Sequence, residues 1–555
     1  MKNNFQEMKY SSCSIQRIMK KQLVLGLALV LALYSCNDTS NPINDGPITI
    51  NSDSEALTAR VKLDNTGVVG LIDPNAPSGR IQEESSDLPL ILVSQVDAPV
   101  VGNQTLRATH VDIDGDYAYV SYNTEGDTYL GAVDIFDITN PYSPKITQQA
   151  IFSDTDISAL EYKNGKLYLA AAVNIDQNAD VTSPANLITV SVSGGQFTSD
   201  FVYTSMPGFV ATDVANTNSN TAVTSGNDGV IGLFDVNQTP GNSTEMEDLR
   251  AVAFGSDKLA VLSGTSGVHI LDPNSLSEVI SIPLTLDVAG AKRTLDIENG
   301  NLYVSEGANG AGIYKMSDGS LVSRLAIPIR PEDVDENDIV TNAVSVDDDL
   351  LFMANGAAGI SISDVSDLAA IKEFGVLDLD GSSNFVRNEE EFVFVATGFG
   401  GLQILKINKS DESTEPSCDG LASYSGNANL NINSNESQSY SGSTVLKNVN
   451  IGGNFLFCGS LAIEQNLNIN SNGLMTVNGS FAFGQYKKNT SLNINSQSKL
   501  QLHGSTVIYG DLRLNSGATL EFLGEGNTIT VYGTVTVNSG AQIIGNYTDT
   551  EGKLK

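Results

Sequence analysis

The stretch ATHVDIDGDYAYVSYN (108–123), followed by GAVDIFDITNPYSP (131–144), reads as three short strands. Apolar and polar residues alternate with the two-residue period of a strand, and Asp114-Gly115-Asp116 supplies a tight polar turn between the first two. The same unit returns six more times. It reads ISALEYKNGKLYLAAA with LITVSV, ATDVANTNSNTAVTSG with GLFDV, LRAVAFGSDKLAVLSGTSGVHIL, KRTLDIENGNLYVSEGANGAGIYKM, TNAVSVDDDLLFMANGAAGISISDV and SSNFVRNEEEFVFVATGFGGLQILKI. Equivalent positions Tyr119, Tyr168, Val223, Val261, Val304, Met353 and Val395 lie 38 to 55 residues apart, the spacing of four-stranded blades.

The seventh unit stops after its third strand at Ile407, while a strand-like stretch, ILVSQVD (91–97), precedes the first. If that early strand fills the last blade, the ring closes and no edge is left unpaired. The sequence therefore predicts an all-β protein with a seven-bladed β-propeller over 88–407. The turns and the segment GAVDIFDITNPYSP are similar to the LVIVD-repeat propellers of bacterial surface proteins, and only the first repeat carries the full ending Asp137-Ile138-Thr139-Asn140-Pro141. That resemblance implies a propeller outside the cytoplasm and no known active site.

A polar linker, NKSDESTEPS (408–417), separates this ring from a second domain at 418–555. There LNINS recurs at Leu430, Leu467 and Leu492, followed by LRLNS at Leu512 and VTVNS at Val535, with spacings of 37, 25, 20 and 23. One strand per coil with Asn at the corner predicts a smaller β-solenoid of the parallel β-helix kind, in which Asn433, Asn470, Asn495, Asn515 and Asn538 stack as a ladder. A β-sandwich with repetitive turns is the alternative.

At the other end, Met19-Lys20-Lys21 and the apolar run QLVLGLALVLAL (22–33) have the form of an export signal, too short for a span of about 20 residues. Leu33-Tyr34-Ser35-Cys36 resembles the lipobox of bacterial lipoproteins, although Tyr34 departs from the usual small or aliphatic residue. The resemblance implies a signal peptide over 1–35, with Met19 as the start, and lipidation of Cys36 at the outer membrane, on its periplasmic or cell-surface side. Residues 36–87, rich in Asn, Asp, Ser and Pro, read as a flexible tether.

Removal of 1–35 leaves 25 basic and 64 acidic residues, a formal charge of −39, which disfavours nucleic acid and anionic membrane surfaces as partners. The membrane enters only through the anchor. Of four cysteines, Cys418 and Cys458 can pair in an oxidising compartment or stand as buried thiols. No cofactor motif appears. Acidic runs such as Asp112, Asp114 and Asp116, or Asp333, Asp335 and Asp338, are the places where calcium would find oxygens, but they lack the later ligands of an EF-hand loop. His110, His269 and His503 are expected in satisfied structural roles, and Tyr122, Tyr129 and Tyr142 are the aromatic candidates for sugar stacking. The absence of Trp excludes the tryptophan-docking, Trp-Asp and Tyr-Trp-Thr-Asp propeller signatures. The expected function is non-enzymatic recognition of a surface protein or glycan by propeller loops and solenoid. The alternative is a hydrolase or lyase for extracellular polysaccharide, with carboxylates gathered in the propeller channel.

Overall fold

A computed structural model describes residues 46–63, 67–69, 71–72, 88–255, 257–284, 291–331, 334–407, 418 and 420–554. The signal, Cys36 and the linker 408–417 lie outside the described residues. Seven four-stranded antiparallel sheets follow one another. Blade 1 runs from the innermost strand Arg107–Asp114 through Tyr117–Asn123 and Gly131–Asp137 to the outer Lys145–Phe152. Blades 2 to 6 span 155–205, 213–246, 249–282, 295–325 and 343–377. Two-residue hairpins join the inner strand pairs where the chain offers Asn164-Gly165, Asn299-Gly300 or Asp348-Asp349. Both central residues of each have positive φ, and Gly and Asn or Asp tolerate that best. Among the described residues no helix is long and apolar enough to cross a membrane.

Blade 7 is built from both ends of the ring. Phe385–Glu389, Phe392–Ala396 and Leu402–Ile407 come from the seventh repeat, and Leu90–Val96 completes the sheet, pairing Leu402 with Val96 and Ile407 with Leu90. Ile91, Val96, Leu402 and Ile404 are fully buried, so closure is held by core packing as well as by the ladder.

The stretch expected as a free tether is instead partly attached to the ring. Ile48–Asn51 adds a fifth strand to blade 1 along Lys145–Phe152. Val61–Lys62 pairs with Leu90–Val96, and Leu71–Ile72 pairs with Lys372–Leu377 of blade 6. Arg60 makes a buried ion pair with Asp134 of blade 1, 2.7 Å from Nη2 to Oδ2. The segment's polar composition concealed this, because an edge strand needs only main-chain partners and a few apolar contacts.

The C-terminal region is a parallel β-solenoid of about six turns. Its coil has three faces rather than one strand. A short strand such as Asn429–Ile432 ends in a turn, and a long strand such as Ser437–Ile451 then bends at Gly442 and runs into the next coil. The spacing of 37 hides a whole coil: Val449 pairs in register with Leu430 on one side and Leu467 on the other. Inside, Leu430, Val449, Leu467, Leu492 and Leu512 form one buried stack, and Ile432, Ile451, Ile469, Ile494 and Leu514 another. Each such side chain contributes roughly 1.5–3 kcal/mol of burial.

Two sets of small residues turn the corners. Gly442, Gly459, Gly479 and Gly504 lie in register, each with positive φ. A Cβ on Gly479 would stand 2.2 Å from the carbonyl oxygen of Gly459. At the second corner, the third residue of each Asn-Ser-x-x turn is left-handed: Asn472, Gln497, Gly517 and Gly540. The N–H three residues on donates back to the Asn carbonyl, as from Gly473 to Asn470 at 2.7 Å and from Ala518 to Asn515 at 2.9 Å.

Solenoid and propeller share a core rather than extending apart. Val507 and Tyr509 belong to the same buried cluster as Leu90, Phe136, Tyr142 and Phe394. The Tyr142 hydroxyl lies 3.0 Å from Thr528 Oγ1, and the Tyr532 hydroxyl donates to the Tyr142 carbonyl at 3.2 Å.

Candidate functional site: the two mouths of the propeller channel

The inner strands line the channel, and their polar side chains mostly serve as ties between blades. Asp112 accepts from the Tyr162 N–H at 2.7 Å, Asp213 from Val252 at 3.0 Å, Asp296 from Val346 at 2.9 Å and Asp347 from Glu390 at 3.0 Å. In each case the donor sits on the following blade. Thr109 and Thr212 hydroxyls donate across the same gaps, to Ile157 O and Leu249 O, at 3.0 and 3.1 Å. The Thr and Asp spaced closely on inner strands are the sequence trace of this device, which repeat matching by apolar letters passes over.

Three of these carboxyl groups nevertheless converge, together with that of Glu161. Asp112, Glu161, Asp213 and Asp296, from blades 1, 2, 3 and 5, line a lower cavity of about 240 Å³ together with His110, Phe254, Phe385 and Arg387. Burial raises the pKa of all four, Glu161 to about 8 and Asp213 to about 6. His110 is driven the other way by burial and by the charges of Lys292 and Arg387, so it is neutral. Its ring lies 3.7 Å from that of Phe385, and its Nδ1 is buried without a hydrogen-bond partner, which overturns the expectation of a satisfied histidine.

Lys292 crosses the channel above this cavity. Its ammonium donates to the carbonyls of Thr109 and Ser158 at 2.7 and 2.8 Å, on blades 1 and 2. Burial lowers its pKa to about 7, against the opposing pull of Asp213. Nothing in its local sequence marks it, because its partners are main-chain atoms more than 130 residues away.

The upper mouth, about 480 Å³, is lined by Arg107, Thr109, Asn123, Glu125, Ser158, Thr212, Arg250, Lys292 and several Asn residues of later blades. Its arginines are matched internally, Arg107 bonding Glu125 and Arg250 bonding Asp248, and the Asp338 carboxylate also lines it. Phe399 lies under the Arg107 guanidinium with 60% of its surface exposed, and Phe209, on the loop entering Thr212, is 66% exposed. None of the residues lining either mouth belongs to the solenoid.

Other expected site residues fall as follows. Cys418 and Cys458 are joined in a disulfide. Side-chain amide hydrogen bonds run from Asn515 Nδ2 to Asn495 Oδ1 at 3.0 Å and from Asn538 Nδ2 to Asn515 Oδ1 at 3.2 Å. Asn470 occupies the same corner, but Asn433 is cut off because Gly452 takes the corner of the concealed coil, and it turns to Glu436 instead. Two ladders not foreseen run along the first face, Asn429-Asn448-Asn466 and Asn450-Asn468-Asn493. Tyr122 is fully buried against Arg60 and Tyr142 is taken up by the solenoid junction, so neither is available to stack on a sugar. Asp112 does not join Asp114 and Asp116 in a common turn, because it faces the channel, and among the described residues no three His, Cys, Asp or Glu side chains form a metal-binding group.

His503 bonds Asn478 at 2.7 Å. His269 stands in a relay on blade 4, Nε2 to Ser266 Oγ at 2.7 Å and Nδ1 to Glu278 Oε2 at 2.5 Å. The N–H groups of Thr265 and Ser266, which an acyl-transfer site would turn toward an oxyanion, both donate to Ser263 Oγ. The relay therefore braces a turn.

No family model matches the chain, and no curated protein matches it. Solved structures similar to it include the Pan2 WD40 domain of Neurospora crassa, at 9% identity and TM-score 0.41, covering 54% of this chain and 89% of that one. A mitotic checkpoint complex follows at 11% identity, TM-score 0.42, with 60% and 94% covered. A catalytically inactive virginiamycin B lyase from Staphylococcus aureus gives 12% identity, TM-score 0.41, with 56% and 98% covered. At such identity and TM-score these likenesses transfer no activity.

Proposed function

We propose that this protein is an exported, lipid-anchored recognition protein of the bacterial outer membrane, which binds a surface protein or glycan at the upper mouth of its propeller and is without catalytic activity. The observation that carries the binding role is the state of that mouth. Arg107 and Arg250 are already paired with carboxylates, neutral amides and hydroxyls line much of the concavity, and Phe399 and Phe209 remain exposed beside it. Aromatic side chains beside neutral polar groups suit peptide or sugar ligands. The lipobox-like Cys36 and the LVIVD-like first repeat support export and anchoring.

The test is capture from the cell surface with the full mature chain and with a Phe209→Ala, Phe399→Ala double variant, since separating the domains would expose their shared core. Loss of the captured ligand in the variant is expected; equal capture refutes the upper mouth as the site. Cys36→Ser is expected to abolish membrane association, and unchanged association refutes the anchor. The hydrolase or lyase alternative draws on the convergence of Glu161, Asp213, Asp112 and Asp296, although all four of these carboxyl groups are hydrogen-bonded to the following blades. Turnover of a polysaccharide panel that disappears in Glu161→Gln would favour it.

A further inference from the structure

Arg387 is unlike every other channel residue. It is the one cation lining the lower cavity, yet its guanidinium makes no direct hydrogen bond or ion pair to any described residue, and its Nε is buried without a partner. The carboxyl groups of Asp296, Asp112, Glu389 and Glu161 act on it electrostatically from a distance. A buried guanidinium holds five donors in a fixed fork, and leaving such donors unmatched costs more than matching them returns. The structure also leaves His110 Nδ1 unmatched at the same mouth. Two orphaned groups beside four carboxyl groups describe a cavity whose polar inventory is completed by something else.

We propose that the lower mouth binds a single neutral polyhydroxylated ring, a monosaccharide unit, with Arg387 donating to its hydroxyl oxygens and the carboxyl groups of Glu161 and Asp213 accepting from its hydroxyl hydrogens. Charge selects this chemistry. An anionic ligand would meet Asp112, Asp213 and Asp296, and a cationic one would meet Arg387 with Lys292 behind it. Hydroxyl groups both donate and accept, so one ring satisfies the guanidinium and the carboxyls together. Glu161 suits the role because burial holds much of it in the neutral form, which can accept or donate in turn. Phe254 and Phe385 line the same cavity and offer apolar surface to the C–H face of a ring. Size agrees: about 240 Å³ lies below the roughly 300 Å³ at which pockets for drug-sized ligands begin. No bond is broken, because Asp112, Asp213 and Asp296 are already tied to the next blades by their N–H bonds.

This site is independent of the upper mouth, and the experiment separates them. Ligand-observed NMR and calorimetry on the full mature chain would use methyl glycosides of neutral hexoses, and then short oligosaccharides ending in whichever unit binds. Binding of at least one glycoside is expected. Arg387→Met should weaken it about tenfold to a hundredfold, the loss of one or two charge-assisted hydrogen bonds, whereas Phe399→Ala should leave it unchanged. Oligosaccharides binding at least as well as the glycoside assign the source to glycan ends; glycosides alone assign it to free sugar. If Arg387→Met does not fold, Glu161→Gln serves, with weakened binding expected there. The proposal is overturned if no glycoside binds the native chain, or if the variant that folds binds as the native chain does.

Discussion

Replacement of Arg60 by Ala tests whether the N-terminal segment is truly part of the propeller. Arg60 meets Asp134 with two hydrogen bonds, 2.7 and 3.2 Å, and its Nε donates to Asp97 O at 2.9 Å. Burial works against the charged guanidinium, but Asp134 and Tyr122 together outweigh it and raise the Arg60 pKa. The Asp134 carboxylate is fully buried, and without Arg60 it keeps Gln149 Nε2, at 2.7 Å, and the Tyr122 hydroxyl as side-chain donors. Removing one partner of a buried ion pair costs about 3–5 kcal/mol, and the surviving Gln149 bond places this case near 3. Because Arg60 sits on the segment and not on a blade, the loss is local: release of Ile48–Asn51 from Lys145–Phe152 should become roughly a hundredfold more frequent. Amide hydrogen exchange measures this directly. Exchange at 48–51 should accelerate while Leu90–Val96 keeps its protection. Asp134→Asn in the Arg60→Ala background should recover part of the loss, since no charge is then stranded. An acceleration below threefold would refute the reasoning, as would equal loss of protection across all seven blades.

Three further outcomes are expected. Gly479→Ala places a Cβ 2.2 Å from the Gly459 carbonyl at a φ of +133° and should cost more than about 3 kcal/mol in solenoid stability, whereas Gly526→Ala, with open space around it, should cost about 1; equal urea midpoints would refute the corner account. Opening the Cys418–Cys458 bridge, which spans 40 residues, by substituting both with Ser should lower stability by up to roughly 4 kcal/mol, read from urea unfolding. Glu161 has a folded pKa near 8 against an unfolded value near 4.5, so the folded state holds its proton longer. The native chain should therefore lose stability as pH rises from about 5 to 8, and Glu161→Gln should flatten that slope; identical melting curves across the range would refute it.

The lower mouth was legible only in part. Asp112 stood out as a member of an acidic run, yet it lies within the inner strand Arg107–Asp114 and lines the channel, while Asp114 ends that strand at the turn. Glu161, Lys292 and Arg387 carried no motif, because each acts on residues brought to it by ring closure and not by spacing along the chain. The upper mouth is similar: Phe399 sits in an ordinary Gly-rich turn, and its place under Arg107 depends on blade 7 lying beside blade 1.

What the sequence determined by itself is the repeating, local part. Alternation and turn residues specify strands and hairpins, seven units of blade length specify the ring, and Asn-Ser turns specify the solenoid's corners, since each depends on residues within a few positions of one another. Only the tertiary structure decided where those units stop being independent. It docked Ile48–Asn51, Val61–Lys62 and Leu71–Ile72 on the blades, inserted the unmarked coil at Asn448–Asn450, fused Val507 and Tyr509 into the propeller core, and left Arg387 facing carboxyl groups from four other blades. Contacts between residues tens to hundreds of positions apart leave no periodic trace, because either partner can vary in position along the chain while its opposite stays fixed in space.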